Sequence, residues 1–120
     1  MTVSKVLCID DSVAELDLLR KIVLAANLNV VSATNGEDGI QCAQVELPDL
    51  IFLDIVMPGM DGFAVMRELQ KYPATKDIPV VFVSSKNQKA DQAWAKMQGA
   101  RGFVSKPVSE EAILNEIRKF

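Results

Sequence analysis

The chain has 120 residues, which suits a single compact domain over residues 1–120, and its 49% of hydrophobic residues is enough to form a core. The net charge is −3, and no cluster of Lys and Arg is present. This excludes a nucleic-acid-binding surface, because phosphate contacts need clustered cations. The chain contains no histidine, which excludes Ser/His/Asp catalysis, histidine-ligated zinc and a phosphohistidine relay within the chain.

The apolar runs of the chain are short, and none approaches the length of a membrane span. The first residues, MTVSKVLCID, lack the long apolar core of a signal peptide. We therefore expect no membrane insertion and, by default, a cytoplasmic location. Cys8 and Cys42 fall in a predicted buried strand and a predicted helix, so we interpret both as core thiols rather than nucleophiles.

Five short apolar segments predict five β-strands. In the middle segments the apolar residues are consecutive rather than alternating, which is typical of parallel strands that are covered on both faces. The second segment is more polar and suits an edge of the sheet. The segments are VLCI (6–9), NVVSA (29–33), LIFL (50–53), PVVFV (79–83) and GFV (102–104).

Segments with a helical period separate the strands and predict five helices. Ser12 and Glu15 match the SxxE capping box, so the first helix is predicted to begin directly after Asp11. The second helix is predicted to begin at Asn35–Gly36, and the third to run over 62–72. The fourth is predicted to run over about 88–98, and the fifth to begin after Ser109. This succession of strands and helices with short connections predicts an α/β fold, a doubly wound parallel sheet with helices on both faces.

Polar side chains follow four of the five predicted strands. Because the carboxyl ends of parallel strands share one edge of the sheet, where such folds bind ligands, we expect these side chains to meet. If the first and third strands are neighbours, three carboxylates crowd together, and their repulsion raises carboxyl pKa values or demands a cation such as Mg²⁺. The side chains are Asp10 and Asp11 after the first strand, Asp54 at the third, Ser84 and Ser85 at the fourth, and Lys106 at the fifth.

The same groups suit a phosphoryl group. Lys106 and a Ser hydroxyl at the end of the fourth strand supply the positive charge and the hydroxyl that hold phosphoryl oxygens, and Asp54 can attack phosphorus to form an acyl phosphate. Each element alone has a plainer interpretation: an Asp pair caps a helix, a Lys before Pro is a surface residue, and a Ser pair begins a turn. Their conjunction at one edge of one sheet favours the chemical interpretation.

Four motifs carry a resemblance to a known family: IDDS (9–12), LDIVMPGMDG (53–62), VVFVSSK (80–86) and GFVSKP (102–107). From Val6 to its C-terminus the chain resembles the receiver domain of two-component response regulators, the CheY-like family. The resemblance implies a flavodoxin-like, three-layer fold with five parallel strands in the order 2-1-3-4-5 and five helices. It also implies a phosphoacceptor switch rather than an enzyme, in which a CheA-like or hybrid sensor histidine kinase phosphorylates Asp54.

The resemblance further implies that Asp11, Asp54 and the backbone carbonyl of Val56 bind Mg²⁺, with Asp10 assisting.

The strongest alternative is a phosphohydrolase with an Asp nucleophile on a similar sheet. Such enzymes need a second acid two residues after the nucleophile, and this position is Val56. A degenerate receiver that acts only as a scaffold would lack one of Asp10, Asp11, Asp54 or Lys106, and all four are present.

The resemblance also implies how the switch works. Ser84 is the hydroxyl that turns toward the phosphoryl group, Lys106 is the lysine that binds it, and Phe103 is the aromatic that changes rotamer. Phe103 has no hydroxyl, so its coupling is expected by packing alone. The expected result is a shift of the surface made by the fourth helix, the fifth strand and the fifth helix. Family precedent also predicts a cis peptide bond before Pro107.

A narrower resemblance lies in residues 86–108, which look like the stand-alone receivers of twitching-motility, Pil-type (PilH/PilG-like) chemosensory systems. It implies motility or chemotaxis-type signalling, such as twitching or phototaxis. No output domain follows Phe120, so we expect output by protein contact or as a phosphate sink, from a monomer or weak dimer.

Trp94 has two interpretations, a core side chain or an anchor for a partner. Lys86 is expected to bear on the lifetime of the phosphoryl group.

Overall fold

The computed structural model describes residues 2–120, which form a parallel sheet of five strands between two layers of helices. The strands are β1 (Lys5–Ile9), β2 (Asn29–Ala33), β3 (Leu50–Leu53), β4 (Val80–Ser84) and β5 (Gly102–Ser105). The helices are α1 (Val13–Ala25), α2 (Gly36–Glu46), α3 (Gly62–Leu69), α4 (Lys89–Met97) and α5 (Glu110–Arg118).

The strand order is β2-β1-β3-β4-β5, and every pairing is parallel. This confirms the predicted doubly wound fold and the edge position of the second strand. The direction of winding reverses between β1 and β3, which is where folds of this kind bind ligands. Ile9 of β1 pairs with Ala33 on one side and Leu53 on the other, so these strands end level with one another.

The core has two apolar layers, one on each face of the sheet. Alternate side chains of a strand point to opposite faces, so Leu7 and Ile9 lie in one layer while Val6 and Cys8 lie in the other. Helices α2, α3 and α4 cover the first face, and α1 and α5 cover the second. All four residues of β3 are buried, as the consecutive apolar run predicts.

The two cysteines match their predicted role to different degrees. Cys8 is fully buried in β1, and burial raises the pKa of its thiol to about 12, so it is an inert core thiol. Cys42 on α2 is half-buried, and burial again raises its pKa. Neither thiol is activated as a nucleophile.

Two expectations about helices are corrected. Helix α3 ends at Leu69 rather than at residue 72, because the buried hydroxyl of Thr75 donates a 2.7 Å hydrogen bond to the Leu69 carbonyl and closes the helix there. The interpretation of Trp94 as a core side chain is wrong. Helix α4 turns Ala95 into the core and leaves Trp94 46% exposed.

Within residues 2–120, no helix is both long enough and apolar enough to cross a membrane.

The loop between β3 and α3 depends on two glycines for different reasons. At Gly59, φ is +74° and an added Cβ would meet nothing within 4 Å, so only the backbone conformation requires glycine. At Gly62, an added Cβ would collide with the carbonyl oxygen of Asp54 and lie 2.8 Å from Cα of Ile55. The close approach at Gly62 therefore fixes the backbone beside Asp54.

Replacing these glycines by Ala should separate the two effects in a urea unfolding experiment. Gly59→Ala should cost about 1 kcal/mol of unfolding free energy, the penalty of a left-handed conformation. Gly62→Ala should cost about 2 kcal/mol or more, because the backbone next to Asp54 must move. Equal losses for the two variants would contradict the close approach at Gly62.

Candidate functional site

Three carboxylates meet at the carboxyl edge of the sheet, where β1 and β3 end. Asp10, Asp11 and Asp54 each offer one oxygen, and these oxygens lie within 4.8 Å of one another. Asp10 and Asp54 are buried, whereas Asp11 is exposed. The acidic cluster predicted from the sequence is therefore present, with its open side at Asp11.

Backbone hydrogen bonds hold the two buried carboxylates at the end of the sheet. The N–H of Asp10 donates to the carbonyl of Ala33 at 3.1 Å, and the N–H of Asp54 donates to the carbonyl of Ile9 at 3.0 Å. These bonds continue the strand pairing by one residue beyond β1 and β3. Hydrogen bonds to neighbouring strands therefore fix the backbone of both carboxylates.

The start of α1 is joined to the site through Asp10. The hydroxyl of Ser12 accepts from the N–H of Glu15 at 3.3 Å, which confirms half of the predicted capping box. The other half differs, because the N–H of Ser12 donates to Oδ1 of Asp10 at 2.9 Å rather than to Glu15. A carboxylate of the site therefore takes the place of the expected Glu in the cap.

Lys106 places one ammonium between two of the carboxylates. Its Nζ lies 2.7 Å from Oδ2 of Asp10 and 3.2 Å from Oδ2 of Asp54. The peptide bond between Lys106 and Pro107 is cis, as predicted. The N–H of Lys106 donates to the carbonyl of Ser84 at 3.1 Å, so the end of β4 fixes the backbone of the lysine.

The ionisation of Asp10 and Lys106 reflects burial opposed by pairing. Burial raises the pKa of Asp10 above its ordinary value of 3.8, and hydrogen bonds from Lys106 and Ser12 only partly offset this. The charge of Asp54 adds to the increase. Burial lowers the pKa of Lys106, but hydrogen bonds and charges from Asp10 and Asp54 outweigh it and the net pKa is raised. The ammonium therefore stays charged, while the cluster keeps excess negative charge.

One carboxylate oxygen of the cluster has no hydrogen-bond partner in the part of the chain that the structure describes. Oδ1 of Asp54 is buried and has no hydrogen-bond partner among residues 2–120, an arrangement that costs free energy in a folded chain. The oxygens of Asp54 and Asp11 are the hard ligands that Mg²⁺ prefers, and Mg²⁺ usually takes only one or two carboxylates from a protein. The residues present therefore fit a magnesium ion.

The other predicted site residues lie at the end of β4, in the loops that follow β3 and β4, and on β5. Ser84 is fully buried at the end of β4, whereas Ser85 is exposed. Val56 follows Asp54 by two residues, and its side chain is 57% exposed. Phe103 is half-buried on β5 and packs against Phe82, with the ring centroids 6.4 Å apart.

Two features of the site were not predicted from the sequence. The first is the direct ion pair between Asp10 and Lys106, where only a role in metal binding was expected for Asp10. The second is an ion pair between Lys86 and Asp91, 3.1 Å from Nζ to Oδ1, beside the predicted switch hydroxyl. The spacing of Gln88 and Asp91 matches a capping box, and this signal could have placed Asp91 at the start of α4.

Comparisons with known proteins agree with this geometry. A family model described as response regulator receiver domain matches residues 6–118. The chain is 42% identical over 114 residues to protein PilH of Pseudomonas aeruginosa, covering 95% of this chain and 94% of PilH. It is 32% identical over 116 residues to sensor histidine kinase CheAY of Helicobacter pylori, covering 95% of this chain but 14% of CheAY. The crystal structure of chemotaxis protein CheY4 of Vibrio cholerae matches with a TM-score of 0.91 at 25% identity, over 98% of each chain.

Replacing Asp10 or Asp49 by Asn should change the pH dependence of stability in opposite directions. The pKa of Asp49 is lowered by hydrogen bonds from the backbone N–H groups of Ser4 and Lys5, at 2.9 and 3.0 Å. The pKa of Asp10 is raised, so ionising it costs stability as the pH rises from 3.8 through the raised value. Asp10→Asn should therefore raise the free energy of unfolding at neutral pH, whereas Asp49→Asn should lower it.

Urea unfolding across the acid and neutral range, without divalent cations, measures both effects. The gain from Asp10→Asn should shrink as the pH falls toward 3.8, because the wild-type carboxyl then becomes protonated. The loss from Asp49→Asn should persist to lower pH and vanish as Asp49 protonates below 3.8. A destabilising Asp10→Asn at neutral pH would show that pairing with Lys106 outweighs burial.

Proposed function

We propose that this chain, which belongs to the response regulator receiver domain family, is a phosphorylation switch with Asp54 as the phosphoacceptor. The observation that carries the proposal is the state of the Asp54 carboxylate. It is buried, one oxygen has no partner among the described residues, and the other lies 3.2 Å from the ammonium of Lys106. A cation such as Mg²⁺ would complete this pocket, and the cation together with Lys106 would attract an anionic phosphoryl group.

The reaction is transfer of a phosphoryl group from a partner. Receiver domains accept phosphate from histidine kinases, and this chain has no histidine of its own. A carboxylate oxygen of Asp54 bonds to phosphorus as the bond from phosphorus to the kinase histidine nitrogen breaks, and that nitrogen keeps the electron pair. Because the other ring nitrogen of the kinase phosphohistidine carries a proton, the products are an acyl phosphate on Asp54 and a neutral histidine on the kinase.

The residues of the acidic cluster have separate tasks in this transfer. The acidic triad is typical of the Mg²⁺ site of receivers, and we assign Mg²⁺ binding to Asp11, Asp54 and the backbone carbonyl of Val56, with Asp10 assisting. When bound, the ion neutralises charge on the phosphoryl oxygens during transfer. Lys106 is already in place to bind a further phosphoryl oxygen, since its ammonium lies between Asp10 and Asp54.

Ser84 and Phe103 would pass the change to the surface. Ser84 is buried at the end of β4. Its hydroxyl oxygen accepts a hydrogen bond from the N–H of Lys86 at 3.2 Å, and this bond leaves the O–H of Ser84 free to donate. Phe82 and Phe103 are paired across β4 and β5, so a shift at the end of β4 reaches Phe103 by packing. Phe103 also lines a groove of about 360 Å³ between α4 and β5. The output is therefore a change in the α4, β5 and α5 surface that a partner protein detects.

We infer the signalling system in which the chain acts from the proteins that it is similar to. The similarity to PilH supports signalling in twitching motility or a related chemotaxis-type system. The similarity to a protein named sensor histidine kinase CheAY supports a CheA-like kinase as the phosphoryl donor. A single domain over residues 1–120, action in the cytoplasm and a monomeric or weakly dimeric state remain predictions from the sequence.

The phosphohydrolase alternative is disfavoured by the same loop. It requires an acid two residues beyond Asp54 to protonate a leaving group. Val56 occupies this position with an exposed apolar side chain. The chain therefore has a phosphoacceptor without the second acid that rapid hydrolysis would need.

Intact-mass measurement after incubation with Mg²⁺ and a small acyl-phosphate donor tests the proposal. We expect the wild-type protein to gain the mass of one phosphoryl group and Asp54→Asn to gain none. Asp61→Asn is a matched control, because it removes a carboxylate from the same loop and Asn can still cap α3 in its place. It should be phosphorylated like the wild type. An unmodified wild type, or a modified Asp54→Asn, would refute the assignment.

A further inference from the structure

We propose that Asp91 is a positioning residue that holds the ammonium of Lys86 on α4 and so keeps it off the phosphoryl group of Asp54. The inference rests on the proposed function, because it concerns how long that phosphoryl group survives. Asp91 does not itself touch the phosphoryl group in this account. It acts by competing for Lys86.

The backbone of Lys86 lies at the edge of the site. Its N–H donates to the hydroxyl of Ser84 at 3.2 Å. Ser84 is the last residue of β4, and Lys86 lies two residues further on, in the loop to α4. The Nζ of Lys86 lies 3.1 Å from Oδ1 of Asp91 in the first turn of α4. The lysine is therefore anchored beside the switch hydroxyl while its charge is held on the helix.

Asp91 is well placed to hold this charge. Its Oδ2 accepts from the N–H of Gln88 at 3.0 Å, so the same side chain caps the first turn of α4. The side chain of Asp91 is 16% exposed, against 52% for Lys86. A second bond, from Nε2 of Gln92 to the carbonyl of Asn87 at 2.9 Å, also ties the loop to the helix. The carboxylate is therefore fixed, and the lysine is the mobile member of the pair.

A phosphoryl group on Asp54 would offer Lys86 a second anion. The group carries up to about two negative charges near pH 7, and the flexible four-carbon stem of lysine lets its ammonium swing from one anion to another. Lys86 on the phosphoryl oxygens would join Lys106 in stabilising the phosphorylated state. It would also crowd the space from which water attacks phosphorus.

This competition sets the rate of dephosphorylation. In hydrolysis a water oxygen bonds to phosphorus, the bond from phosphorus to the Asp54 oxygen breaks, and the Asp54 carboxylate leaves with the electron pair. The protons of the water pass to solvent and inorganic phosphate. By holding Lys86 on α4, Asp91 leaves the phosphoryl group more open to water and shortens its lifetime.

The test uses Asp91→Asn, Lys86→Met and the double variant. Asn keeps an oxygen that accepts from the N–H of Gln88, so the helix cap is preserved and only the charge that holds Lys86 is lost. Met keeps much of the lysine stem without the ammonium. Each protein is phosphorylated with the acyl-phosphate donor and Mg²⁺, the donor is removed, and the fraction phosphorylated is followed by intact mass.

We expect Asp91→Asn to lengthen the half-life of the phosphorylated protein by about threefold or more, the scale of a coupling between contacting charges. The double variant should have the half-life of Lys86→Met alone, because Asp91 acts through Lys86. A merely structural role of Asp91 would not depend on the Lys86 ammonium. Urea unfolding of Asp91→Asn checks that the fold is as stable as in the wild type.

Two results would overturn the inference while leaving the proposed function intact. One is a wild-type half-life for Asp91→Asn. The other is the same lengthening by Asp91→Asn when Lys86 is already Met, since that would place the effect in the helix cap. A wild-type protein that takes up no phosphoryl group on Asp54 would instead remove the proposed function, and the inference with it.

Discussion

The ammonium of Lys106, shared between the buried carboxylates of Asp10 and Asp54, is the interaction on which the site depends. A buried carboxylate is costly unless a partner compensates it, and here one cation faces two buried acids and the exposed Asp11. The compensation is incomplete, as the raised pKa of Asp10 and the unpartnered Oδ1 of Asp54 indicate. The folded chain therefore keeps a deficit of positive charge at one place. A metal ion is the addition that this deficit favours, and the ion together with Lys106 would supply the positive charge that an anionic phosphoryl group needs.

The rest of the fold holds the acidic cluster in place and connects it to the surface. Backbone hydrogen bonds to neighbouring strands hold the two buried carboxylates, and the close approach of Gly62 fixes the backbone beside Asp54. Ser84 lies between two lysines. Its carbonyl accepts from the N–H of Lys106, which follows β5, and its hydroxyl accepts from the N–H of Lys86 in the loop to α4. Helix α4 buries only the side chain of Ala95 and leaves Trp94 half-exposed. The end of β4 beside the acidic cluster is therefore joined to a helix that buries only one residue, Ala95.

Local sequence patterns were sufficient to predict the strands, most helix starts and the place where the carboxylates meet. Consecutive apolar residues such as LIFL mark a strand buried on both faces, and parallel strands bring their ends to one edge. The failures have tertiary causes that local patterns do not contain. Thr75 ends α3 early through a buried hydrogen bond, Asp10 replaces Glu15 in the cap of α1, and Ala95 rather than Trp94 faces the core. The partition of charges between Asp10, Lys106, Lys86 and Asp91 likewise depends on side-chain positions in three dimensions.

Calorimetric titration with Mg²⁺ tests most directly whether the acidic cluster carries an uncompensated charge that a cation fills. The wild-type protein should bind one Mg²⁺, and Asp11→Asn should weaken binding by about tenfold or more, since it removes the exposed carboxylate of the cluster. Asp61→Asn, which removes a carboxylate outside the cluster, should bind Mg²⁺ like the wild type. Equal affinities of the wild type and Asp11→Asn, or no binding by the wild type, would contradict the account.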